Sequence, residues 1–307
     1  MVALITGTTG LSPSISAQQG RTDASSGIGI QPVRKNVFML VGEGTNITVQ
    51  VGDEGVLVID PGSARISGSV LAAIRDLCKE PLRYIIDTNA EPEHTGGNAI
   101  LGKAGENLRA DGLGAEIISH LDIDGLMRAQ TPARPAADLP SDTFLTAQKD
   151  FYFNDEPVVI LPQPAAHAKG DVIVFLRRSD VISAGEIFLT TGYPVIRVDQ
   201  GGSINGELAA LNRILEITVP KKNEDGGTMV IPGRGHLSDE ADVAEYRDML
   251  TIIRDRVQDL INKGMTLAQV KSARPTADYD PLYRAASGPW TTDMFVEAVY
   301  RSLQKTK

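Results

Sequence analysis

The chain of 307 residues has one cysteine, one tryptophan and only 5% aromatic residues. A single cysteine, Cys78, excludes an intramolecular disulfide and a thiolate metal cluster. Its place in the amphipathic segment Val70 to Lys79 marks it as a buried helix residue. There is no run of Lys and Arg, and the formal net charge is -9. The electrostatic footprint that holds phosphate backbones or anionic lipid is therefore missing, and no nucleic-acid partner is expected. No apolar stretch is long enough for a membrane-spanning helix. What is present is core: 42% hydrophobic against 22% charged residues can bury a large interior and excludes disorder over most of the chain.

Residues 1–32 read as a signal-like or disordered segment. The first twenty, MVALITGTTGLSPSISAQQG, form a weakly apolar run ending in small residues like a secretory cleavage site, yet no Lys or Arg precedes the run and Gly, Thr and Pro interrupt it. The first reading implies a periplasmic or secreted protein, the second a disordered tail on a cytoplasmic one.

From residue 36 the pattern becomes short β-branched runs between glycine turns: Asn36 to Gly42, Asn46 to Val51 and Gly55 to Asp60. A helix follows over Ile66 to Cys78, then strands at Arg83 to Asp87 and Glu116 to Ser119. Beyond a Pro-rich loop, Thr131 to Pro140, the theme repeats with strands at Val158 to Leu161, Asp171 to Leu176, Val181 to Ala184 and Thr228 to Ile231, and a helix over Ile204 to Thr218. Two such halves packed face to face predict an α/β fold, an αββα sandwich over residues 33–265. Amphipathic helices at Glu240 to Asn262 and Thr292 to Gln304 close the chain. Residues 266–307 are expected as a C-terminal helical extension, covering an outer face or a partner subunit in a homo-oligomer.

Five segments at strand ends carry a specific resemblance. They are VLVIDPG (Val56 to Gly62), TNAEPEHTGGN (Thr88 to Asn98), HAKGD (His167 to Asp171), AGEIF (Ala184 to Phe188) and PGRG (Pro232 to Gly235). In order, spacing and flanks they are similar to the Asp-x-Gly, T-H-x-H-x-D-H-x-G-G-N, H-x-x-G-D, G-D and P-G-H-G loops of the metallo-β-lactamase superfamily. That resemblance implies the superfamily's fold and a hydrolase in which two metals share a hydroxide.

Carried over residue by residue, the implied ligands are Asn89, Glu91 and His167 for one metal, Glu93, His94 and Arg234 for the other, and Glu186 between them. Only two of these seven positions keep the superfamily's residue. Glu91, Glu93, His94, His167 and Glu186 form a carboxylate-rich set suited to one zinc, manganese or iron ion, whereas a guanidinium at Arg234 cannot ligate and repels a cation. The second metal position is then empty, and Arg234 is expected to fork onto Glu93 or Glu186 in the missing ion's place. The residues leave a metal-bound and a metal-free site equally open. Glu93 and Asp60 are the catalytic candidates, with Asp60 supporting the site from behind. Asn89, Arg234 and His236 are expected to line it; the order PGRGH reads as an exchange of His and Arg across a glycine, which makes His236 either a surface residue or a substitute ligand. His120 reads as structural, and Tyr279, Tyr283 and Trp290 as pocket wall or core.

The leading functional expectation is metal-dependent hydrolysis of an ester, lactone or β-lactam-like amide, taking a small-molecule substrate. An iron-dependent oxidoreductase, favoured by Glu91, and a non-catalytic metal-free protein, favoured by Arg234, are the alternatives.

Overall fold

The strand Gly55–Ile59 shows how the sequence builds its layers. Successive side chains of a strand point to opposite faces, so Leu57 and Ile59 enter one apolar cluster and Val56 and Val58 another. Because all five residues are buried, this strand must be covered on both sides. The computed structural model describes residues 21–22, 27–109, 113–223, 226–284 and 289–304, and supplies both covers. Residues 1–20 and 23–26 of the expected signal-like segment lie outside the described residues.

Among the described residues the first sheet has eight strands in sequence order. Its first five pair antiparallel, and Gly55–Ile59, Leu82–Ile86, Glu116–His120 and Asp142–Phe144 run parallel. The second sheet has five strands, with Asp171–Leu176 and Val181–Ser183 inside it and Met229–Ile231 parallel at one edge. One cluster joins the facing sheets, with Leu57, Ile59, Ile86 and Ile118 meeting Val158, Ile160, Val174 and Ile231. A second seats the helix Ser67–Leu77, through Val70, Ala73 and Ile74, on the outer face of the first sheet. A third seats the helices Ile204–Ile217, Glu240–Asn262 and Thr292–Gln304 on the outer face of the second. The arrangement is the αββα sandwich expected.

The apolar faces of the last two helices are covered within the chain: Val243, Leu250 and Val257 pack with Phe295, Val299 and Leu303. Both helices begin and end where the sequence places them. Asp239 caps the first by accepting from Ala241 and Asp242 N–H in a capping box. The expected boundary at 32/33 falls inside a strand, Gly29–Arg34, which the β-branched pattern does not announce. Cys78 is only partly buried, at the C-terminal end of its helix. No described helix is long and apolar enough to cross a membrane.

Candidate functional site

The site lies where loops from both sheets meet, and close backbone contacts fix those loops. Asp60, at the end of its strand in the left-handed region (φ 58°), accepts from Thr88 N–H at 2.8 Å and Thr88 Oγ1–H at 2.6 Å. Asp tolerates this conformation better than most residues. Thr88 so held fills the space beside Gly185: a Cβ there would sit 2.3 Å from Thr88 Oγ1, and φ is +52°. Only glycine lets the loop bearing Glu186 come this close. Gly233 makes the third contact, donating its N–H to Gly185 O at 2.9 Å and Phe188 O at 3.0 Å. A Cβ on Gly233 would lie 2.5 Å from Gly185 O. Arg234 is thereby set against Glu186.

Two chains of alternating charge result. In the first, Asp60 Oδ2 lies 3.0 Å from His94 Nδ1, His94 Nε2 lies 2.6 Å from Glu186 Oε1, and Arg234 Nε–H donates to the same Oε1 at 2.9 Å. Both nitrogens of His94 face carboxylate oxygens, so both carry protons and the ring is an imidazolium. Burial by itself would lower the His94 pKa, but the charge of Asp60 and the bonds to Asp60 and Glu186 hold it up at about 10. Burial likewise opposes ionisation of Glu186, yet the His94 bond and the charges of His94 and Arg234 keep it well below the usual carboxylate range.

In the second chain, His167 Nδ1–H donates to Val195 O at 2.6 Å and Nε2 faces Glu91 Oε1 at 3.2 Å. Arg197 forks onto the same carboxylate, Nε–H to Oε1 at 2.8 Å and an Nη–H to Oε2 at 3.0 Å. Burial would raise the Glu91 pKa, but bonds from His167 and Arg197 bring it down to about 2. Burial would lower that of His167, and the Glu91 bond raises it instead.

The expected residues do converge, with unequal parts. Glu91, Glu93, His167, Glu186 and Arg234 line one cavity of about 370 Å³ together with Arg197, Leu189, Tyr193, Val195, Tyr283 and Trp290. His94 is fully buried just behind, and Asp60 is one layer deeper, so Asp60 positions His94 and does not reach the cavity. Asn89 turns inward: its Oδ1 accepts from Glu91 N–H and its amide donates to Thr88 Oγ1. Glu93 is exposed and makes no hydrogen bond or ion pair among the described residues. His236, expected beside the cavity, is exposed and outside its lining, because Gly235 (φ +105°) turns the chain away after Arg234. His120 accepts from Asp122 N–H and caps the helix Leu121–Arg128, a structural role. Trp290 and Tyr283 are wall, while Tyr279 packs on the core. Arg197 is the residue that motif reading missed. Its one sequence signal is an isolated cation in the apolar stretch Tyr193 to Val198, and its placement depends on Arg197 N–H donating to His167 O at 2.8 Å.

The donors present do not fit a metal pair. Each histidine nitrogen is engaged with an acceptor, each oxygen of Glu91 with Arg197, and Glu186 Oε1 with two cationic donors. Among the described residues no three His, Cys, Asp or Glu side chains are placed to share an ion, so Glu91, Glu93, His94, His167 and Glu186 do not form the coordination sphere expected of them. Two permanent guanidinium charges stand in the same space.

Comparison with known proteins agrees with the loops and the layers. The chain belongs to the metallo-beta-lactamase superfamily, whose model matches residues 40–260. Members of that superfamily usually bind divalent metals, and the fold is hydrolase-like in general character. Among solved structures it is similar to a stereoselective inverting sec-alkylsulfatase, Pisa1, from Pseudomonas sp., with a TM-score of 0.64 and 14% identity over 89% of this chain and 50% of that one. It therefore spans about half the length of that protein. It is also similar to a metallo-beta-lactamase from Pontibacter korlensis (TM-score 0.57, 15% identity, 73% of this chain and 99% of that one). The DIM-1 metallo-beta-lactamase has a TM-score of 0.54 and 16% identity, covering 73% of this chain and 97% of its own. No curated protein matches the sequence.

Proposed function

We propose that this hydrolase-like protein binds a small organic anion in the cavity, an acidic group against Arg234 and an apolar body against Trp290, Tyr193, Val195 and Leu189. One observation carries the reading. Arg234 uses Nε–H for Glu186, and its two outer nitrogens have no hydrogen-bond partner among the described residues while the residue lines the cavity. A guanidinium edge presents N–H groups in the geometry of a carboxylate, sulfate or phosphate. About 370 Å³ suits a ligand of modest size, and the aromatic and aliphatic residues on one side of the charged groups offer it an apolar wall.

Isothermal titration with benzoate, phenyl sulfate and the neutral benzyl alcohol tests it. Binding of the anions, none of the alcohol, and loss of anion binding in Trp290→Ala and Arg234→Met are expected. Equal binding of all three, or of none, refutes the reading. Metal-dependent hydrolysis of an ester, lactone or lactam is the second reading, supported by superfamily membership; turnover of an aryl ester that rises with added zinc, manganese or iron and stops with chelator would favour it.

A further inference from the structure

The two charged chains share one design. Each begins at a fixed acceptor, Asp60 or the Val195 carbonyl, passes through a buried histidine to a glutamate, and ends on an arginine. The glutamates stand at positions where the superfamily resemblance places metal ligands, and the histidines are the two ligands that it leaves unchanged. In a metal centre the Nε2 lone pair of each histidine would point at the ion. Here Nε2 faces a carboxylate, at 2.6 Å for His94 and 3.2 Å for His167. Each Nε2 is thus engaged by a carboxylate that is itself held by a guanidinium, Glu186 by Arg234 and Glu91 by Arg197.

The carboxylates then need positive charge from elsewhere. Glu186 is 3% exposed, and its oxygen Oε1 receives both His94 and Arg234. Glu91 is 18% exposed and held by His167 and by both arms of the Arg197 fork. An isolated carboxylate so buried would be strongly disfavoured, and a guanidinium is the side chain best suited to offset it, being permanently charged, planar and weakly hydrated.

We propose that Arg197 and Arg234 are resident substitutes for the two metal ions: each neutralises one glutamate and ties together loops that a shared ion would otherwise join. Arg234 bridges the Pro232–Gly235 loop to the Glu186 loop, and Arg197 bridges the segment that follows the Glu186 loop, docked by its backbone N–H on His167 O, to Glu91. The cavity is on this account assembled without metal, whatever ligand it receives, so the proposal does not rest on the anion reading above.

The test uses the full chain. Wild-type protein is equilibrated with excess zinc, manganese or iron(II), desalted and analysed for metal, and its Tm is measured with and without EDTA. Far less than one ion per chain and an unchanged Tm are expected; one retained ion per chain, with a Tm that falls on chelation, overturns the proposal. In the same assay Arg234→Met, of similar length and no charge, should lower Tm, and Arg234→Lys should recover part of that loss. Equal Tm values for the Met and Lys variants, lowered or not, overturn it as well, because the arginine would then contribute shape and not charge. Should the Met variant fail to fold, the wild-type metal and EDTA measurements decide by themselves.

Discussion

Removing Arg234 should cost more stability than removing Arg197, although Arg197 makes the better fork. The difference lies in the carboxylates left behind. Glu186 is 3% exposed and Glu91 18%, so water can partly replace the guanidinium at Glu91 but not at Glu186. Breaking a fully buried pair from one side costs about 3–5 kcal/mol, but His94 remains on Glu186 Oε1 and Arg234 is 30% exposed, which brings Arg234→Ala to about 2 kcal/mol. Arg197→Ala, with a partly hydrated partner that keeps His167, should cost ~1 kcal/mol. With an unfolding entropy of about 2.1 cal/mol/K per residue over 307 residues, these are Tm losses of roughly 3 °C and 1.5 °C. Urea unfolding at pH 7 measures both, with His236→Ala as an exposed control that should match wild type. Arg234→Ala within about 0.5 kcal/mol of wild type, the range of ordinary surface substitutions, would mean that Glu186 does not depend on its arginine.

Other outcomes follow from the same contacts. His94 is held up at about 10 against an unfolded value near 6.5, so its contribution to stability is full below about pH 6.5 and disappears as pH rises through 10; Tm should fall over that window, and less so in Asp60→Asn, which removes the largest charge raising the His94 pKa. A slope equal in both proteins would refute the pairing. Gly185→Ala should cost more than ~1 kcal/mol, because its Cβ meets Thr88 Oγ1 at 2.3 Å in a left-handed backbone; a neutral result in chemical denaturation would show that the loop contact is loose. Glu207 is fully buried with neither oxygen partnered among the described residues, and burial raises its pKa well above the ordinary carboxyl range. Glu207→Leu, of similar volume, should raise Tm by removing an unpartnered polar group, and a drop would point to a bound partner at that carboxyl.

The layers were legible wherever burial is written as a continuous apolar run or a helical period. Gly55–Ile59 and the helix Glu240–Asn262 follow their hydrophobic patterns, and Asp239 marks the start of the latter. Edge strands were less so. Lys149–Phe153 alternates partly buried with exposed residues and is joined to Glu156–Gln163 by Asn154 and Asp155, both at positive φ, a tight turn whose chemistry is present in the sequence but weak beside the apolar runs. In the site, Glu91, His94, His167, Glu186 and Arg234 sit at loops with spacing of their own, and the expected contact of Arg234 with Glu186 is the one observed. Arg197 has no such loop. Its partner is 106 residues away, and nothing local marks a cation whose role is set by a distant glutamate. His236, read as either a surface residue or a substitute ligand beside the site, is a surface residue: it stands one glycine from Arg234 in sequence, but the turn at Gly235 sends it to solvent.

The protonation of the two buried histidines is the most direct test of the idea that arginines occupy the place of metals. Heteronuclear NMR of imidazole-labelled wild-type protein at pH 7, with and without added zinc, reads the state of each ring nitrogen. The account predicts that His94 and His167 carry protons on both nitrogens and that zinc leaves their resonances unchanged. A deprotonated Nε2 on either ring that shifts on zinc addition, as a metal ligand would, contradicts it.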